Sequence, residues 1–114
     1  KDYIGISHPS TIVPKEIYER IGTFDIFYKI IGDLDWFHRV YKANEKFEIL
    51  DCVISNMSDG GITYQFNFKK SLKDRIYYLK KFYKNPVERF CRLILWIKNF
   101  YSIKYLYKIR KNKF

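Results

Sequence analysis

Residues 30–40 read IIGDLDWFHRV and set two carboxylates, Asp33 and Asp35, one residue apart between an apolar run and a segment with helical periodicity. Trp36, Phe37, Val40 and Tyr41 follow at i, i+1, i+4, i+5 spacing, which lines one helical face and predicts a helix from Asp33 to about Ala43. On local rules alone Asp33 is the N-cap of that helix and Asp35 falls in its first turn, a cap contributing about 0.5–2 kcal/mol. A carboxylate at such a place can also serve as a general base, so the same stretch is read either as a cap or as chemistry.

Working outward, ISHPSTIV at 6–13 is β-branched and ends at Pro14, the pattern of a short strand. PKEIYERIG then predicts a short helix. Pro14 suits a first turn, where a missing N–H costs little, Glu16 lies near the positive end of the dipole, and Gly22 is a natural stop. TFDIFYKII at 23–31 is an apolar connector with no assigned path. Downstream, KFEILDCVISNM at 46–57 is β-rich and partly alternating, and Phe47, Ile49 and Val53 predict a strand entering the core. SDGG at 58–61 predicts a turn or flexible loop.

The 114 residues suit one modest domain or a piece of a larger protein, and the first residue is Lys1, which predicts a processed chain or a fragment. An aromatic content of 20% excludes the composition of a disordered chain. Charge is split unevenly. Residues 1–66 hold 7 Lys/Arg against 10 Asp/Glu, net −3, whereas residues 67–114 hold 15 against 2, net +13. The second region therefore suits phosphate-bearing partners such as an anionic membrane surface or nucleic acid.

That basic region also has helical periodicity. Leu72, Ile76, Leu79 and Tyr83 recur with Lys73, Lys80, Lys81 and Lys84 between them, NP at 85–86 breaks the pattern, and Val87, Phe90, Cys91, Ile94 and Leu95 form a second stripe. The longest uninterrupted apolar run, LILWI at 93–97, is too short to span a bilayer, and no signal-peptide pattern opens the chain. Cys52 and Cys91 carry no CxxC and no clustered His, so no metal ligand set is predicted. Two distant cysteines fit a reduced, cytosolic setting better than a disulfide framework.

The order HPSTIVPKEIYERIGTFDIFYKIIGDLDWFHRV, then a short strand, then SDGGIT, resembles the C-terminal part of a family 2 glycosyltransferase of the GT-A class. The matching positions are Gly22, Phe24, Asp25, Asp33, Asp35 and Arg39, followed by Gly60, Gly61, Ile62 and Thr63, and they cover about residues 4–64. The resemblance implies an α/β fold: residues 1–66 as the C-terminal, acceptor-side fragment of a GT-A nucleotide-diphospho-sugar transferase fold, with a few short strands and helices. Residues 67–114 follow as a tail of basic amphipathic helices.

The same resemblance implies an inverting transfer of a sugar from a nucleotide-sugar donor to a glycan or lipid-linked acceptor, as in surface polysaccharide biosynthesis. Asp33 is then the catalytic base that takes the acceptor hydroxyl proton. Asp35 is a first-turn acid beside the acceptor that positions Asp33 or pairs with Arg39. His8 on its strand, Trp36 with a ring face for a sugar, and Gly60 and Gly61 in a loop over the site complete the acceptor side. Many relatives have Glu before the first Asp where this chain has Gly32. The family's metal-binding DxD, which holds Mg²⁺ or Mn²⁺ through the nucleotide-sugar diphosphate, belongs to an N-terminal half that this segment lacks. The local DLD is not that motif, so the segment alone is expected to be inactive and to bind no cofactor.

For the tail the expectation is an apolar face in the headgroup region with Lys73, Lys80, Lys81, Arg89, Arg92 and Trp96 toward the membrane, at the cytoplasmic face of the plasma membrane. Two other readings stand beside it. The helices pack on a missing catalytic half with their lysines solvated, or the chain is a non-enzymatic membrane-surface or nucleic-acid-binding module whose carboxylates only cap a helix. None of the named nucleic-acid motifs occurs, which makes nucleic acid the weaker partner.

Overall fold

Pro14 and Gly22 bracket the first helix, α1 (Lys15–Ile21), in the computed structural model, which describes residues 6, 8–56 and 67–112. Pro14 has φ −59°, ready for a helix, and Gly22 has φ +85° while its N–H donates to the Tyr18 carbonyl at 2.9 Å. A positive φ of that size is strained for a residue with a Cβ, so glycine ends the helix here without penalty. The second helix, α2 (Gly32–Lys42), opens one residue before Asp33, with Ile31 at the N-cap and no side-chain cap. Asp33 is therefore the second helical residue rather than the cap, and its Oδ1 accepts from the Leu34 N–H at 2.8 Å.

The helical spacing of Trp36, Phe37 and Val40 becomes a buried stripe, packed by Ile17, Tyr18 and Ile21 of α1 and by Ile6 and Val13 ahead of it. Trp36 stacks on Tyr18 with centroids 4.7 Å apart and donates its indole N–H to the Gly22 carbonyl at 2.7 Å. Burying an indole requires a partner for that N–H, and the end of α1 supplies it.

The expectation of an α/β fold is corrected here: every regular element among the described residues is a helix. His8–Ser10 form a 3-10 turn, closed by the Thr11 N–H on the His8 carbonyl at 3.1 Å, where a strand was expected. Pro9 lies inside that turn and has no N–H to give to a ladder. Residues 46–56 have no regular structure. Ile49 is 97% and Val53 91% exposed, so the alternation in this segment buries neither residue. A strand is stable only beside another strand, and the described residues offer it none. A sheet-based GT-A fragment is thus not what the described residues of 1–66 form.

Asn67 and Asn85 open the two remaining helices. Asn67 Oδ1 accepts from the Lys70 N–H at 3.0 Å at the start of α3 (Phe68–Phe82). Asn85 Oδ1 accepts from the Val87 N–H at 2.9 Å at the start of α4 (Pro86–Asn112), whose first residue is proline. Both arrangements satisfy orphan N–H groups of a first turn, and proline at that place loses no hydrogen bond. Phe68, the first residue of α3, stacks on Trp96 (6.0 Å) and meets Phe100 (5.4 Å) and Tyr101 (5.7 Å), so α3 and α4 run antiparallel. At 1.5 Å per residue α4 is about 40 Å long and α3 about 22 Å, and α4 continues past the level of Phe68. No described helix is long and apolar enough to cross a membrane. The chain divides into two compact units, Lys1–Gln65 and Phe66–Phe114.

Candidate functional site

The two carboxylates of residues 33–35 have different surroundings although they share a turn of α2. Asp35 is fully buried. Its Oδ1 accepts from the Tyr28 hydroxyl at 2.9 Å and its Oδ2 from Arg39 Nε at 3.0 Å. Arg39 sits one turn further along α2 and donates its other two nitrogens to the carbonyls of Ile21 (2.7 Å) and Thr23 (2.6 Å). The guanidinium fork thus ties a buried carboxylate to the C-terminal end of α1, where a cation also meets the negative end of the helix dipole. Both carboxylate oxygens of Asp35 and all three guanidinium nitrogens of Arg39 have a partner in this set, which makes Asp35 a strut.

Asp33 is exposed, and its side chain accepts the local hydrogen bond from the Leu34 N–H. Two residues apart on a helix means about 200° apart, so burying Asp35 turns Asp33 outward. Asp33 keeps lone pairs open to solvent near the positive end of α2, an arrangement that can accept a proton or a hydrogen bond from a ligand hydroxyl.

The remaining acceptor-side candidates are placed as follows. Trp36 is 1% exposed and shows no ring face to solvent. His8 is half-buried and meets Phe24 edge-on at 5.1 Å and Phe37 at 6.1 Å, joining the same aromatic cluster. Gly60 and Gly61 lie outside the described residues. Tyr28 is the member of the Asp35 network that sequence reading missed; it sits in the apolar connector 23–31, where no periodicity pointed to a buried hydroxyl. Among the described residues no three His, Cys, Asp or Glu side chains converge as a metal site.

In the C-terminal unit the two faces of α4 differ. Leu93, Trp96 and Phe100 are partly covered, and Trp96 and Phe100 ring the Phe68 side chain of α3. Val87, Phe90, Ile94, Tyr101 and Tyr105 are all exposed, and their spacing puts them on one stripe opposite Trp96. From the edges of that stripe Tyr101 reaches the Phe68 ring at 5.7 Å and Phe90 borders Ile76 and Leu79 of α3. The basic residues divide too. Lys73, Lys80 and Lys81 are exposed and Arg89 is half-buried. Arg92 is held within the unit, ion-paired with Glu88 at 2.9 Å and lying 4.1 Å over the Tyr83 ring. Trp96 stands on the α3 side, with Arg75 6.0 Å from its ring centroid.

No family model, curated protein or solved structure matches the chain. Together with the strand-free described residues, this overturns the resemblance to family 2 glycosyltransferases: neither the fold nor any family match carries it.

Proposed function

We propose that the chain works at an anionic membrane surface, to which its C-terminal helical unit docks without crossing. The observation that carries this reading is the exposed stripe Val87, Phe90, Ile94, Tyr101 and Tyr105 on the side of α4 opposite Trp96. It lies in a region of net charge +13. Apolar side chains on one helical face gain by leaving water for the boundary between headgroups and acyl chains, and tyrosine suits that boundary with its apolar body and polar tip. Each Lys or Arg near an anionic surface adds about 1 kcal/mol. The exposed Lys73, Lys80 and Lys81 supply such charges.

Co-sedimentation of the full chain with vesicles tests this. Phosphatidylcholine vesicles containing phosphatidylglycerol are expected to bring the protein down, pure phosphatidylcholine vesicles to leave it in solution, and added salt to release it. Val87→Asp with Ile94→Asp, both exposed and away from the Phe68 contact, removes the binding while the helical circular dichroism stays. Equal, weak sedimentation with both vesicle types overturns the reading.

A second reading concerns the N-terminal unit and is supported by the contrast between Asp33 and Asp35. With Asp35 consumed by Tyr28 and Arg39, Asp33 is the carboxylate of the pair open to a substrate. In this reading it takes the proton of an acceptor hydroxyl during sugar transfer from a nucleotide-sugar, on a glycan or lipid-linked acceptor held at the membrane. An aligned general base contributes about 10²–10⁴-fold. Asp33→Asn in the full native chain is expected to reduce transfer of labelled sugar from nucleotide-sugar to membrane acceptors by that factor with folding unchanged. Near-normal transfer removes Asp33 as the base.

A further inference from the structure

Beside the connection between α3 and α4 lies a groove of about 290 Å³. Ile76, Leu79 and Lys80 of α3 and Arg89, Phe90 and Leu93 of α4 line it. Leu79 is buried, Leu93 half-buried and Phe90 exposed, so the groove has an apolar floor and an open side. Lys80 is exposed and Arg89 half-buried, and among the described residues neither has an ion-pair partner. Phe90 also belongs to the outward stripe of α4, which makes the groove and that stripe adjoin.

We propose that this groove receives one chain of an anionic lipid, with Lys80 and Arg89 holding its phosphate. The inference rests on the membrane-surface reading and adds to it a specific lipid site. Charge complementarity selects the occupant. The polar side chains of the lining are both cations, and they can only donate hydrogen bonds. A phosphate diester takes such donors with all its free oxygens and brings no donor of its own. A peptide laid in the groove would bring backbone N–H groups that the lining side chains have no acceptor to satisfy. A base would find a single aromatic ring, Phe90, to stack on. An acyl chain needs only the apolar floor.

The test uses a short-chain lipid that stays monomeric, so that groove binding is read apart from vesicle binding. Dihexanoyl phosphatidylglycerol is titrated into the full chain below its micelle concentration while the methyl resonances of Ile76, Leu79 and Leu93 are followed by NMR. Saturable shifts at these methyls are expected, with dihexanoyl phosphatidylcholine and glycerol phosphate each weaker by about tenfold or more, because one lacks the net charge and the other the chain. Lys80→Gln with Arg89→Gln is expected to weaken phosphatidylglycerol by about tenfold or more without disturbing the remaining methyl spectrum. Leu93→Phe, which fills the groove and leaves both cations, is expected to block the short-chain lipid while sedimentation with anionic vesicles persists.

Wild-type protein that sediments with anionic vesicles but shows no shift at these methyls overturns the groove and leaves the membrane-surface reading standing. So does equal affinity for the choline lipid, or wild-type affinity in the Lys80, Arg89 double variant. A single-stranded oligonucleotide that shifts the same methyls more strongly than the lipid assigns the groove to nucleic acid and also overturns the proposal. Absence of vesicle binding overturns both readings together.

Discussion

Replacing Asp35 by alanine is the sharpest perturbation of the N-terminal unit, because it removes a fully buried carboxylate that two other side chains use. The Tyr28 hydroxyl loses its acceptor inside the protein, and an unsatisfied buried hydroxyl costs about 1–3 kcal/mol. Arg39 loses its ion-pair partner, although it keeps the Ile21 and Thr23 carbonyls and its side chain is 22% exposed. Removing one member of a buried pair costs about 3–5 kcal/mol, and the partial access of Arg39 to water brings the expectation to the lower end, about 3 kcal/mol. At about 0.05–0.15 kcal/mol per residue, a unit of this size is stable by roughly 3–10 kcal/mol. The substitution therefore removes a large share of its stability or unfolds it.

Asp33→Ala is the matched control. Asp33 is exposed and donates nothing to the core, so its loss costs the helix-terminus interaction alone, under about 1 kcal/mol. Asp35→Asn falls between, since its amide oxygen can still accept from Tyr28 while the charge facing Arg39 is gone. The sequence supplies its own reporter: Trp36 lies in the N-terminal unit and the second tryptophan, Trp96, in the other. In a Trp96→Phe background, urea unfolding followed by Trp36 emission reads the N-terminal unit alone. Equal midpoints for Asp33→Ala and Asp35→Ala, both close to the parent, would refute the assignment of Asp35 as the strut and of Asp33 as the open carboxylate.

Three further outcomes are expected. Gly22→Ala destabilises the same unit by about 1–2 kcal/mol in the Trp36 assay, since an alanine is strained at φ +85° even though its Cβ would stand 3.6 Å from Arg39 Nη1. Asn67→Ala and Asn85→Ala each lower the urea midpoint of the C-terminal unit, read by Trp96 in a Trp36→Phe background, by about 1 kcal/mol for the lost first-turn hydrogen bonds. Phe68→Ala removes the ring against which Trp96, Phe100 and Tyr101 pack, and a red shift of Trp96 emission with loss of cooperativity is expected, because the half-buried ring is where α3 and α4 meet.

Helices were legible in this sequence because their signals are local. Pro14 ahead of α1, Gly22 behind it, Asn-Pro at 85–86 and the i, i+1, i+4 spacing after Asp35 each act within one or two turns, and the structure follows them to within a residue. The same locality made Asp33 look like a cap. What displaced it was Gly32, which took the first helical position and moved the cap to Ile31, a residue with no side chain able to accept a hydrogen bond. The expected strands failed for the opposite reason. Alternation at Phe47, Ile49 and Val53 states only that a strand would have one apolar face; whether a partner exists is a long-range fact, and the exposure of Ile49 and Val53 records that this segment's alternation buries neither.

The pairing of Asp35 with Arg39 was readable from i, i+4 spacing, but its depth was not, because depth comes from Tyr28 and from the carbonyls at the end of α1. The stripe on α4 has the same history. Periodicity identified Val87, Phe90, Cys91, Ile94 and Leu95 as one face, and a buried face would ordinarily follow. Trp96 and Phe100, spaced to fall on the other side, meet Phe68 of α3, and Tyr101 reaches the same ring from the edge of the stripe. A helix that satisfies its neighbour with one apolar face and still carries a second has more apolar surface than its own hairpin can use. Folding of the hairpin gives little reason to keep Val87, Ile94 and Tyr105 apolar, since polar residues at these exposed positions would cost it little. An exposed apolar stripe within a strongly basic unit is the pair of properties that the proposed anionic interface would reward at once.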